Sequence, residues 1–151
     1  YTVTKCYREA LQAIDEKKYT SDKIEKWKEE LARVYNRGFW EGYYLGRKLG
    51  EWTPHPGSAA TEKKIYIGKG SKYYSKINVA EFLVESGNIK AGDTLMVSGP
   101  LCGMVKEITK TLVVNGEKNN EAIKGDKITF PFAVKVDSKD KLYKIVKAIN
   151  E

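Results

Sequence analysis

One histidine, two cysteines and four arginines in 151 residues leave little from which to build a reaction centre. A hydrolase of the Ser-His-Asp or Cys-His kind needs an imidazole within reach of its nucleophile. The one imidazole, His55, stands between Pro54 and Pro56 in a stretch without periodicity. Pairing it with Cys102 would require that stretch to fold onto a turn far along the chain, so Cys102 reads as a small turn residue. Cys6 and Cys102 are too few for a disulfide scaffold or a four-cysteine metal site. Even with His55 they reach three ligands at most, so no metal and no cofactor is expected within these residues. No apolar run nears the ~20 residues of a membrane-spanning helix. The sequence opens at Tyr1 without the profile of a signal peptide. Together these absences predict a cytoplasmic fragment of something longer, with no membrane contact.

What is present is an ordinary globular composition, 41% hydrophobic and 31% charged, with a net charge of +7 from 27 basic and 20 acidic residues. Such a length supports one domain or two small ones. Nearly all the basic residues are lysine, a hydrated point charge without arginine's planar fork. The excess is a mild signal for a polyanionic partner and equally describes a surface that resists precipitation.

Residues 1–50 have helical character. Val3, Cys6 or Tyr7, Ala10 or Leu11, and Ile14 recur every three or four positions, one stripe of a helix that closes at Lys17-Lys18. A second helix is expected from Asp22, with Glu25 at capping-box spacing, and Ile24, Trp27, Leu31 and Val34 on its apolar side. It should end near Asn36 and Gly38. Residues 51–62, holding two prolines and a Gly-Ser-Ala-Ala-Thr run, look like a linker. From Lys63 to residue 151 the period becomes two, as in Ala80/Phe82/Val84 and Ile128/Phe130/Phe132. Six or seven short strands in about 90 residues predict a small closed β-barrel, making the chain α+β. Gly92-Asp93 and Gly125-Asp126 each precede a strand, where glycine can take a positive dihedral and aspartate can bond nearby amides.

Paired carboxylates such as Glu29-Glu30 diverge on a helix and read as a solvated face. Gly68-Lys69-Gly70-Ser71-Lys72 lacks the glycine fingerprint and following helix of a phosphate cradle. The tract from Lys69 to Lys76 is more suggestive. It interleaves Lys69, Lys72 and Lys76 with Tyr73 and Tyr74, in what reads as a loop where backbone phosphates and stacked bases could both be met. The competing reading is that these tyrosines plug one end of the barrel. Arg37 joins them as a candidate nucleic-acid contact.

A helix motif, Cys6-Tyr7-Arg8-Glu9-Ala10-Leu11, and a glycine- and aromatic-rich stretch that suits neither a regular helix nor an alternating strand, Asn36-Arg37-Gly38-Phe39 with Gly42-Tyr43-Tyr44-Leu45-Gly46, resemble segments near the end of the collagenase-like peptidases, family U-32. Ile67-Gly68-Lys69, Tyr73 to Glu81, Ile89 to Asp93, Gly99-Pro100, Lys124-Gly125-Asp126 and Leu142-Tyr143-Lys144 resemble that family's C-terminal domain. The resemblance implies a TIM-type barrel upstream of Tyr1, with helix one packed on it. It also implies a β-barrel similar to domain two of translation elongation factors. Family members are peptidases or act in hydroxylation of transfer or ribosomal RNA, with an iron–sulfur cluster held by cysteines of the upstream barrel. Neither Cys6 nor Cys102 matches that cluster, so no catalytic residue carries over. The expectation is a non-catalytic accessory module that positions a macromolecule, RNA or protein, for chemistry performed upstream. The alternative is a structural or homodimerising cap.

Overall fold

A computed structural model describes residues 1–39, 46, 57–100 and 102–148. The chain divides into two units, Tyr1–Lys63 with Lys147–Glu151, and Lys64–Val146. His55 and the aromatic-rich stretch after Phe39, apart from Gly46, lie outside the described residues, as does most of the expected linker.

The first unit is a helical hairpin, α1 (Thr2–Asp15) and α2 (Ser21–Arg33). Lys17 takes the left-handed conformation at φ 55°, and the Lys18 amide bonds back to the Ala13 carbonyl at 2.7 Å. That 6→1 bond closes α1 where the sequence placed its end. The expected capping box at Asp22 does not form. The N-cap lies two residues earlier, at Thr20, with helix α2 starting at Ser21 and no side-chain capping bond. Asp22 therefore sits inside the first turn, where its charge favours the helix dipole instead. At the other end the Asn36 amide nitrogen reaches the Val34 carbonyl at 2.9 Å, and its carbonyl oxygen accepts from the Gly38 amide at 3.0 Å.

The second unit is built of strands: β1 (Glu62–Tyr74), β2 (Val79–Val84), β3 (Asn88–Lys90), β4 (Thr94–Gly99), β5 (Gly103–Ile108), β6 (Val113–Val114), β7 (Glu117–Lys118), β8 (Glu121–Ile123), β9 (Lys127–Pro131) and β10 (Lys141–Lys147). The α+β class stands, but the closed barrel does not. Eight strands form one sheet in the order β5-β4-β10-β1-β2-β9-β6-β7, which has two ends, while β3 and β8 pair separately. Alternation shows only which side chains of one strand face inward, whereas closure needs its first and last strands to share a ladder. Here the terminal β7 has just two residues and pairs only with β6 among the described residues.

The core follows the alternation. Ala80 of β2 faces Phe130 of β9 and Phe82 faces Ile128, and these four are buried together with Val84. Phe82 stacks on Phe130 at 5.2 Å between centroids, and Phe132 meets both rings edge-on. The two Gly-Asp turns share one construction. Gly92 and Gly125 have φ of 95° and 98°. Asp93 accepts from the Lys90 amide at 2.7 Å, and Asp126 from the Ile123 amide at 2.9 Å.

Candidate functional site

The lysine-tyrosine tract is not a loop. Lys69 to Tyr74 belong to β1, and only Lys76 falls in the turn to β2. Between Gly70 and Lys72 the pairing slips by one residue, so that Gly70 faces Phe82 and Lys72 faces Glu81. This bulge at Ser71 reverses the in-out parity of the residues that follow. Tyr73 comes opposite the buried Ala80 and packs against the core. Its hydroxyl donates to the Phe132 carbonyl at 3.1 Å. Lys72 and Tyr74 are thereby turned to the outer face, with the Lys72 ammonium 5.0 Å from the centre of the Tyr74 ring.

The outer face continues across the sheet. The register puts Lys69 beside Leu83, Lys72 beside Glu81 and Tyr74 beside Val79. It then puts Leu83 beside Lys127, Glu81 beside Thr129 and Val79 beside Pro131. Glu81 accepts from the Ser71 hydroxyl at 2.8 Å and the Tyr74 hydroxyl at 3.1 Å. The first of the causes that raise the Tyr74 phenol above its ordinary value is that bond to Glu81. Lys69 forms a 2.8 Å ion pair with Glu85, which also accepts from Tyr66. Those two bonds, Lys69 first, hold the Glu85 carboxyl below its ordinary range. Lys76 and Ile77 are exposed in the turn.

The sequence-predicted residues are thus only partly united. Lys69, Lys72 and Tyr74 share the outer face of the β1–β2 hairpin, Lys76 is exposed in its turn, and Tyr73 serves the core. Arg37 lies in the helical unit, where its Nε donates to the Tyr35 hydroxyl at 3.1 Å. Missed by the sequence reading was a shallow groove of about 520 Å³, lined by Tyr74, Ile77, Val79, Glu81, Asn115, Gly116, Lys127 and Thr129. Its far wall is the Asn115-Gly116 turn, both residues at positive φ. An Asn-Gly pair is a hairpin signal, but nothing in the sequence says that this turn meets the β1–β2 hairpin.

Cys102 donates to the buried Asp140 carboxylate at 3.3 Å. Burial, then that bond, pushes its thiol up to about 11, far from a reactive thiolate at neutral pH. Among the described residues no three His, Cys, Asp or Glu side chains gather as metal ligands, and no helix is long and apolar enough to cross a membrane.

Known proteins place the chain in a broader setting. The sequence profile of Peptidase family U32 matches residues 1–54. A collagenase of Porphyromonas gingivalis strain W83 is 46% identical over 97% of the chain, which spans 36% of that protein. An uncharacterized protease of Methanocaldococcus jannaschii is 32% identical over 97% of the chain, again 36% of its own length. The chain therefore spans little more than a third of these relatives. The crystal structure of the C-terminal domain of a Geobacillus thermoleovorans protein described as a U32 peptidase aligns with a TM-score of 0.49 and 14% identity, over 52% of this chain and 90% of that one.

Proposed function

We propose, from the premise that the chain belongs to peptidase family U32, that it is a non-catalytic accessory region of a longer cytoplasmic protein. In this reading it is the C-terminal part, and its β unit holds a macromolecular substrate, RNA, for chemistry carried out elsewhere in that protein. The observation that carries this reading is the gathering of positive charge in the β unit. Between Lys64 and Val146 stand 14 lysines and nine acidic residues, and Lys69, Lys72 and Lys127 share an outer sheet face with the Tyr74 ring. Phosphate binding needs clustered cations, and stacking needs an accessible ring. An iron–sulfur cluster, if the parent uses one, would belong to the remainder of the protein.

The test is titration of a single-stranded RNA against the chain and a Lys69→Glu/Lys72→Glu/Lys76→Glu variant at several salt concentrations. Binding should be lost or much weakened. Its slope against log salt should fall by roughly 0.7 for each lost phosphate contact. Equal titrations of the two proteins would defeat the reading.

A structural role is favoured by a separate observation. Val3, Tyr7, Leu11 and Ile14 on α1 are between 47% and 65% exposed, an apolar stripe of the kind that marks a covered surface. We assign that stripe to contact with the remainder of the longer protein, a TIM-type barrel by family resemblance, rather than with a second copy. Sedimentation of the chain by itself should then show a monomer at low concentration, and tight dimerisation lost in Leu11→Asp would favour the cap.

A further inference from the structure

We infer that the groove between the β1–β2 turn and the Asn115-Gly116 turn is a seat for one unpaired nucleobase. This deepens the RNA reading and rests on it. Lysines alone would attract any polyanion, but the groove adds what a base requires. Its volume of about 520 Å³ falls within the roughly 300–1,000 Å³ of small-ligand sites. The Tyr74 ring, Val79 and the 67%-exposed Ile77 supply an apolar wall. Every base has a π-face that such a wall can cover.

Two cations accompany the groove. Lys72 stands over the Tyr74 ring, and Lys127 lines the groove from β9, so that phosphates flanking an inserted base have ammonium groups at hand. Glu81 is the exception, a carboxylate facing a polyanion. Its two oxygens already accept from Ser71 and Tyr74, and their remaining lone pairs suit the exocyclic amino group of a base, as carboxylates suit that of cytosine. The groove therefore selects a base with an amino donor over one presenting carbonyls alone.

The experiment compares binding of an eight-residue oligocytidine, an oligouridine and an abasic strand of equal charge to the whole 151-residue chain. Oligocytidine should bind about tenfold more tightly than the abasic strand, from stacking, with oligouridine between them. Ile77→Asp, at an exposed turn position that does not hold the core, should erase the difference between strands. Tyr74→Phe, which keeps the ring, should preserve it. Lys69→Glu, outside the groove, should weaken all three strands alike. Equal binding of the base-bearing and abasic strands would overturn the groove while leaving a purely electrostatic RNA surface standing. Failure of all three strands to bind at low salt would remove the RNA reading itself. Binding of a proline-rich peptide that Ile77→Asp abolishes, with none of the three strands bound at low salt, would overturn both in favour of a protein ligand.

Discussion

The two units differ in how they satisfy their apolar residues. In the β unit three phenylalanines and the side chains around them are withdrawn from water within one continuous core. In the helical hairpin Cys6 and Ala13 are buried, while Tyr1, Val3, Tyr7, Leu11 and Ile14 stay exposed along α1. Its helices also meet through a polar contact, the Trp27 indole donating to Glu9 at 3.0 Å, and Trp27 packs on Tyr19. Short helices draw most of their stability from burying an amphipathic face. The β unit buries its apolar side chains within itself, whereas α1 leaves an apolar stripe exposed among the described residues.

That contrast can be broken most directly at its strongest point. Phe82→Ala empties the centre of the aromatic cluster and should cost about 3–5 kcal/mol, read from denaturant unfolding followed in the β unit. A loss below about 1 kcal/mol would mean the core is not the principal support. Gly99→Ala comes next. A Cβ there would lie 1.5 Å from the buried Asp140 carboxylate, and overpacking of this kind costs about 1–3 kcal/mol. A Tm equal to that of the parent would show that Asp140 can move aside freely.

Tyr66 tests the surface of the same unit. Its bond to Glu85, with burial and the Glu85 charge adding to it, raises the phenol from 10 to about 12. The folded value lies above the unfolded one, so this contribution is complete below pH 10 and is lost as pH climbs from 10 towards 12. Tyr66→Phe should therefore be the less stable chain below pH 10, with the gap narrowing above it. Ultraviolet titration should lose one ionisation near pH 12. The smallest effect belongs to the hairpin. Leu11→Gln should change the stability of the isolated chain by less than about 0.5 kcal/mol, while disturbing attachment within the full-length relative. A large loss in the isolated chain would place Leu11 in a packed interior after all.

Much of this was legible in the residues. The end of α1, the inward sets of β2 and β9, and both Gly-Asp turns follow from local spacing and dihedral preference. The N-cap of α2 was misplaced by two residues because Asp22 offers capping-box spacing as well as a favourable first-turn charge. The candidate site was half legible. The composition of Lys69 to Lys76 marked it, but consecutive tyrosines cannot both face outward on a strand, and the composition does not say which is free. The groove's other wall comes from residues some forty positions away.

Composition and periodicity by themselves determined the scarcity of reactive groups, the excess of lysine, the helical opening and the strand-rich remainder, because each depends on residues close together in the chain. Only the tertiary structure decided that the sheet stays open, that the bulge at Ser71 sends Tyr73 inward and Tyr74 outward, and that the Asn115-Gly116 turn comes to face the β1–β2 hairpin. Those outcomes depend on register between strands distant in sequence, and one residue of slip in that register exchanges core for surface.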